Sequence, residues 1–495
     1  MGQQDWIILT SDKVVSDLLQ KRGKTYSTRL PSYYTFQLLT RGKSYISSPY
    51  NERYRMLKTI MHEILDQRSV KENSKLFDDE FRILMQNFCK ASKDGFYPKH
   101  YFLLTTLNVM SNLCLNKRTE STDDPFYREF EDIMGKHLEI VKITNRLPEF
   151  FPILKWFPNN LRNEIINNRD NIEAFLRKLI KKVVDDKERK SCVVRNLLYK
   201  KDEGIIDELD IIYLLDAMFA AGTDTVAASL TWLTAALANN PQVQSKAHQE
   251  LDQVVGQSRL PEISDEPNIP YIRAIIKEGQ RYCAPIYLGV PHGIEEDDEY
   301  NGYHIPANSV VILNQYGIHT DEKRYENPEE FKPERFLGFM ESSAALANGN
   351  YQIRDHFGFG AGRRLCTGIH MACVSRLLWC FRIENASPLD KDGKPIPINL
   401  DKAHFAITVW PEDYQIRLVK RHDNVERTLF GASCNKSDTS DNVKGENIKS
   451  ICNNVKDKSA CCNDTRNNGV CNNTKGEDTY NNNKDSNTYN DTENK

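Results

Sequence analysis

No stretch of the chain approaches the roughly 18 consecutive apolar residues that a membrane span requires, so no transmembrane anchor is expected. The opening "MGQQDWIILTSDKVV" lacks a basic segment followed by an apolar core, which excludes a secretory signal. Gly2 alone would suit myristoylation, but Trp6 stands where that motif wants Ser or Thr. There is little net charge: −3 over 495 residues, with no basic field of the kind that binds nucleic acid. The 12 cysteines are scattered rather than closely paired, which makes a poor disulfide framework for a chain this long and suits a reducing compartment.

Aromatic residues nearly vanish after Arg421. The last 71 residues, 425–495, contain 16 asparagines and too little apolar surface to offset the entropy of ordering. Residues 423–495 are therefore expected to be an Asn-rich disordered tail. Its five cysteines lack the two spaced pairs of a metal site.

What is present, in residues 1–422, reads mostly as helix. "DELDIIYLLDAMFAAGTDTVAASLTWLTAALANNP" opens on acids and closes on Asn-Asn-Pro, as a helix should, and is apolar on nearly every face. Such a helix is buried, so it should cross the centre of the fold. Asp298–Asn314 alternates like strand, with turns at Asn301-Gly302 and Pro306-Ala307-Asn308. The fold class is mainly α with small β-hairpins, without alternating βαβ units.

Four stretches carry chemistry. In "FGAGRRLCTG", Gly360, Gly362 and Gly368 allow close backbone approach, and Arg363 and Arg364 flank Cys366 with positive potential. A cationic loop around one thiolate suits a metal ligand, with carboxylate-bearing haem a natural guest; a turn around a buried cysteine fits the loop alone equally well. In the central helix, "AGTDTV" sets Gly222, Asp224 and Thr225 among apolar residues. A buried acid costs several kcal/mol unless paired, and Gly costs about 1 kcal/mol relative to Ala. The combination suggests a site, with small residues such as Ala221 and Gly222 leaving room for a cofactor or ligand and an acid with a hydroxyl to move protons, unless Thr225 merely bonds back to the helix. Glu278 and Arg281 fall three apart on one helix face, and Arg335 sits in "FKPERF".

Taken in order, these stretches resemble the cytochrome P-450 superfamily of haem-thiolate monooxygenases over about 420 residues, in its fungal-type microsomal branch. The family's Phe-x-x-Gly-x-Arg-x-Cys-x-Gly is filled by Phe359, Gly362, Arg364, Cys366 and Gly368. Its Glu-x-x-Arg is Glu278 and Arg281, with Arg335 completing a structural triad. Its Ala-Gly-x-Asp-Thr is Ala221, Gly222, Asp224 and Thr225. The resemblance implies Cys366 as the axial ligand of the iron of haem b beneath the long central helix, and Asp224 with Thr225 as the proton relay. It further implies haem-carboxylate contacts from Arg364, His292, and Tyr54 and Lys58, which replace the family's Trp and Arg. Arg53, Arg55 and Lys58 form a basic patch where the family receives a reductase.

The same resemblance implies a catalytic domain over 1–422 that lacks the family's membrane anchor and first elements, and a helix after Cys366 about two turns short. It implies electrons from NADPH through a flavoprotein partner, at the cytosolic side of the endoplasmic reticulum with peripheral membrane contact. One oxygen atom of dioxygen would enter a small apolar organic molecule. The alternatives are a haem-thiolate isomerase or dehydratase that needs no dioxygen, and a non-catalytic haem-binding remnant. "EFFPILKWFP" is read as core or substrate-access packing, with a membrane-dipping loop as the alternative.

Overall fold

The computed structural model describes residues 4–431, apart from 92, 143, 145–146, 152, 155–159, 189, 367–372 and 394. Its longer helices are α1 Glu52–Leu65, α2 Ser74–Cys89, α3 Lys99–Leu115, α4 Pro125–Val141, α5 Leu161–Asp185 and α6 Val193–Asp202. They continue with α7 Glu208–Asn239, α8 Pro241–Val254, α9 Pro270–Tyr282, α10 Cys373–Cys380 and α11 Asn424–Phe430.

The expected central helix is α7, 32 residues and thus about 48 Å long. A capping box starts it: the Asp207 carboxylate accepts from the Asp210 N–H at 2.8 Å, and the Asp210 carboxylate accepts from the Asp207 N–H at 3.1 Å. Asn240 and Pro241 end it, since the proline carries no N–H to continue the ladder. Leu214, Leu215, Ala235 and Leu237 are fully buried, and α3 packs along its length, with α5, α6, α8 and α9 also in contact. Among the described residues α7 is the one helix long and apolar enough to cross a membrane, and most of that stretch is buried inside the fold.

The strands are short, as expected. Asp298–Tyr300 (β3) and Tyr303–Ile305 (β4) form a hairpin around Asn301 and Gly302, both at positive φ (53° and 81°), the signature of a type I′ turn. The Pro306–Asn308 turn does not lead into a second hairpin. Beyond it Val310–Leu313 (β5) runs parallel to Trp6–Leu9 (β1) and antiparallel to His292–Gly293 (β2), in the order β1-β5-β2. The unbroken apolar run "VVIL" is buried on both faces and so needs a neighbour on each side, which a local hairpin cannot supply. Phe381–Asn385 (β6) pairs with Ile416–Lys420 (β9) near the end of the unit; between them lie two-residue strands at Ala403–His404 (β7) and Trp410–Pro411 (β8).

The compact unit runs past residue 422 and includes α11. Val425 and Leu429 of α11 are buried in the main core, and Arg82 and Gln86 of α2 donate to the Thr428 and Leu429 carbonyls. The periodic Val425/Leu429 pair was hidden in an otherwise polar stretch. Residues 432–495, which hold nearly all of the Asn-rich tail, lie outside the described residues.

Glu278 is fully buried on α9. Arg281 meets it through two hydrogen bonds of 2.7 Å, and Arg335 approaches at 3.4 Å. Arg281 also donates to the carbonyls of His319 and Pro328, and Arg335 to that of Asn327 at 2.6 Å, so one carboxylate fixes the whole 319–335 segment on α9. Glu278→Ala leaves two buried cations facing no anion, at a cost of about 3–5 kcal/mol. A denaturant melt should show that loss; an unchanged midpoint with altered substrate choice would contradict a structural role.

Candidate functional site

At the centre of α7 the burial pattern breaks. Phe219, Thr223, Ala227 and Ala228 are buried, yet Ala221 is exposed, and Ala220, Gly222, Asp224, Thr225 and Val226 are half-buried. An apolar helix opens in this way only where it borders a cleft. The Thr225 hydroxyl donates to the Ala221 carbonyl at 2.6 Å, and Ser229 donates to the Thr225 carbonyl at 2.9 Å. The back-bond commits the Thr225 proton and leaves its oxygen lone pairs free to accept. Gly222 does not face the cleft: a Cβ there would lie 2.5 Å from Met110 Sδ on α3, so its smallness serves helix–helix approach rather than a cofactor. Asp224 is met by donors from Thr408 and Trp410. Burial dominates, however, and raises its pKa above the ordinary carboxylate value, and Oδ2 is buried without a partner.

The cationic groups gather elsewhere. Arg29 is buried, donates to the Val290 and Pro291 carbonyls, and keeps an unpartnered Nε. Burial, then the nearby Arg364, bring its pKa down to about 9. Arg364 donates to the Ser27 carbonyl at 2.8 Å and the Ser48 carbonyl at 2.5 Å, and its guanidinium lies 3.5 Å above the Tyr54 ring centre. His292 hydrogen-bonds the Tyr26 carbonyl through Nδ1 at 2.8 Å, which places the proton on Nδ1 and leaves Nε2 an acceptor. Burial, then Arg29, hold its pKa well below the ordinary value. Lys58 donates to the Arg363 carbonyl at 2.7 Å, and burial lowers its pKa too. Among the described residues no carboxylate acts on this group. Buried cations without an anion are costly, and the set has the chemistry to receive a ligand carrying two carboxylates. Tyr54 and Lys58 serve it indirectly, the first under Arg364 and the second on the cysteine loop.

That loop adjoins the cradle. Tyr45 stacks on Tyr54 at 5.4 Å, and Cys366 is among the groups that act on the Tyr45 hydroxyl. The Cys366 N–H donates to the Phe359 carbonyl at 2.9 Å, closing the turn. Gly362 adopts φ +65°, and a Cβ there would fall 1.9 Å from the Leu19 carbonyl oxygen, so backbone packing alone demands glycine. Cys366 is the exposed thiol among the described cysteines. Burial raises the pKa of Cys89 to about 11 and of Cys373 to about 12, and pushes up Cys114, Cys283 and Cys380, all of which stay thiols. Gly368, and with it the helix start expected just after the cysteine, lies outside the described residues.

Two residues escaped sequence reading. Arg29, in "YSTRLP", was not singled out. Arg354 is buried against the Phe357 ring and donates to the carbonyls of His356, Ala347 and Gly360, bracing the cysteine loop from behind. Neither "YSTRLP" nor "YQIRDHFGFG" carries a local signal that its arginine is buried.

The family model described as Cytochrome P450 matches residues 1–383. This chain belongs to that family. It is 33% identical over 398 residues to the cytochrome P450 monooxygenase atE of Aspergillus terreus, covering 77% of this chain and 73% of that one. It is 31% identical over 443 residues to virE of Hypocrea virens, covering 86% and 79%. With patI of Aspergillus clavatus the figure is 31% over 400 residues, covering 77% and 74%. Both are also named cytochrome P450 monooxygenases. The protein is therefore a haem-iron P450 of the fungal type, an oxidoreductase that incorporates oxygen, and the fold matches the mainly helical P450 architecture. The anion-free cradle, the exposed thiol and the open centre of α7 fit haem.

His292 is neutral in the fold, whereas an unfolded histidine protonates near pH 6.5. Below that pH the unfolded chain binds a proton that the fold refuses, so stability falls by about 1.4 kcal/mol per pH unit for each such histidine. Buried His319 adds to the same slope, and His356 does so down to about 4. In haem-free protein, His292→Gln should remove one histidine's share of the loss between pH 6.5 and 5. Denaturant melts across that range check it, and an unchanged slope would contradict a buried neutral His292.

Proposed function

We propose that Cys366 supplies the thiolate for haem iron, that Arg29, His292 and Arg364 hold the haem carboxylates, and that Asp224 and Thr225 govern the proton needed for oxygen activation. The observation that carries this reading is the cluster of buried Arg29 and His292 with half-buried Arg364, none of which forms an ion pair with a carboxylate among the described residues. The haem, when bound with a thiolate on its iron, supplies the oxygen chemistry. The chain's own residues do the rest. Phe359, Gly362 and Arg354 hold the cysteine turn. Asp224, its pKa raised by burial, keeps a proton available at higher pH than an ordinary carboxylate. Thr225, its own proton given to Ala221, accepts a hydrogen bond from whatever bears the delivered proton.

The substrate in this reading is a small apolar molecule that gains one oxygen atom. Leu288, Phe405 and Ile407 are exposed apolar side chains on the segments tied to α7 through Thr408 and through the Trp232–Val409 hydrogen bond. Electrons come from NADPH through a flavoprotein reductase. It docks at the exposed Arg55 and Arg363, beside Lys58. Ile8, Tyr33, Leu147, Phe151 and Ile153 are exposed, and the Trp6–Phe150 ring contact and the Ser32–Glu149 hydrogen bond bring their segments together. This patch supports peripheral contact with the cytosolic face of the endoplasmic reticulum. The catalytic unit extends through α11. The dioxygen-independent isomerase has no task for a proton-holding acid on α7, so the monooxygenase reading is kept.

The test is the absorption spectrum of the reduced, carbon-monoxide-bound protein. The strongly red-shifted thiolate band should be present in the native enzyme and absent in Cys366→Ala and Cys366→His; a band that survives either substitution would sink the assignment. Thr225→Ala should bind haem and accept electrons normally while yielding less product and more hydrogen peroxide or water per NADPH. An unchanged ratio of product to NADPH would reduce Thr225 to a helix-packing residue.

A further inference from the structure

α9 carries two adjacent buried charges, Lys277 and Glu278, that serve different segments. Glu278 takes the 319–335 segment through Arg281 and Arg335. Lys277 takes the stretch that follows: its ammonium donates to the Asp355 carboxylate at 2.6 Å and to the Glu341 carbonyl at 2.9 Å. The same Asp355 Oδ2 accepts from the Ser343 hydroxyl at 2.5 Å, and Ser343 Oγ lies 3.1 Å from His356 Nε2. The other ring nitrogen fixes the tautomer, since the Gly358 N–H donates to His356 Nδ1 at 3.1 Å. Burial lowers the His356 pKa to about 4, so the ring is neutral near pH 7 and its one proton sits on Nε2. The hydrogen bonds therefore run one way, from His356 Nε2–H to Ser343 and from the Ser343 O–H to the Asp355 carboxylate, which Lys277 pairs. Asp355 Oδ1 also accepts from the His356 backbone N–H at 2.8 Å.

His356 is thus held at both ring nitrogens and at its backbone. Its ring packs edge-on against the Phe359 ring, centroids 5.2 Å apart, and the Phe359 carbonyl accepts from the Cys366 N–H at 2.9 Å. Gly358, between the two rings in sequence, has little room for a side chain: a Cβ there would lie 3.1 Å from Gln280 Oε1 and 3.2 Å from His356 Nδ1.

We propose that Lys277, Asp355, Ser343 and His356 form a positioning network for the iron ligand, in which the Ser343 hydroxyl sets the orientation of the His356 ring and, through Phe359, the place of the Cys366 sulfur. The inference rests on the reading of Cys366 as that ligand. Ser343 is the member on which the orientation turns. Without its oxygen the buried Nε2–H has no acceptor, and a buried donor without an acceptor is costly enough to make the ring turn. Phe359 follows the ring it packs on, and the Cys366 turn follows Phe359. Lys277 roots the network on α9, so neighbouring residues of one helix support the cysteine turn by two routes.

The test uses the haem-loaded enzyme and two readouts other than turnover: the reduction equilibrium of the haem iron against a mediator of fixed potential, and the rate of haem transfer to an excess of a haem-scavenging protein. Ser343→Ala should speed haem loss about tenfold and shift the reduction equilibrium severalfold, as removal of a partner outside the ligand shell does. Ser343→Thr, which keeps the hydroxyl, should restore both. His356→Asn keeps an acceptor for the Gly358 N–H but is too short to reach Ser343, and it should behave like Ser343→Ala. If Ser343→Ala and His356→Asn leave both readouts at their native values, or lower only the melting temperature, the network is overturned and the role of Cys366 stands. An effect of Ser343→Ala that Ser343→Thr does not rescue overturns it as well. A thiolate band that survives Cys366→Ala overturns the ligand reading and the network with it.

Discussion

A guanidinium taken out of water must be met by an anion or by enough carbonyl oxygens, and the buried arginines of this P450 meet that demand in different ways. Arg281 has Glu278, bidentate, plus backbone carbonyls. Arg354 has three carbonyls and an aromatic ring. Arg29 has two carbonyls, an idle Nε and a second cation as its neighbour. The first two arrangements close on themselves and hold loops. Among the described residues no carboxylate pairs with the third, and that asymmetry sets it apart from the two that hold loops.

The scaffold arginines explain why the site keeps its shape. Arg281 and Arg335 pin the 319–335 segment to α9, and Arg354 ties the residues after that segment to the Gly360 carbonyl, within the turn that presents Cys366. The cysteine loop thus hangs from the Glu278 network through backbone carbonyls. From the other side, Lys58 and the Leu19 carbonyl press on the same loop at Arg363 and Gly362. Small displacements of either support would move the thiol.

How much of this was legible in the sequence depended on whether a residue's task was local. The capping of α7, its length and its apolar faces could be read because helix signals lie within a few positions of one another, and so could the Asn301-Gly302 hairpin. Glu278 and Arg281 share a helix face three residues apart. Gly222 and Gly362 were read as making room for a cofactor, yet each answers a partner distant in sequence: Met110 for the first, Leu19 for the second. Arg29 lies 263 residues from His292 and 335 from Arg364, so nothing in its own neighbourhood announced the cluster (292 − 29 and 364 − 29). Residues 424–430 were hidden by polar composition, because two buried side chains suffice to dock a seven-residue helix.

The central helix shows what such a site asks of one element. Its apolar faces must be buried for the fold to stand, yet its middle is open on one side and polar on another. The sequence meets both demands by changing residue size and polarity over six positions. Ala221 leaves one side open, Gly222 draws α3 close, and Thr223 and Asp224 face the α3–α4 cleft. Thr225, back-bonded to Ala221, looks again to the first side. Successive helix residues are about 100° apart, so neighbours in sequence necessarily serve different surfaces. An acid placed next to a hydroxyl in a helix therefore does not share its exposure. Asp224 lines the cavity between α3, α4 and α7, while Thr225 borders the open centre.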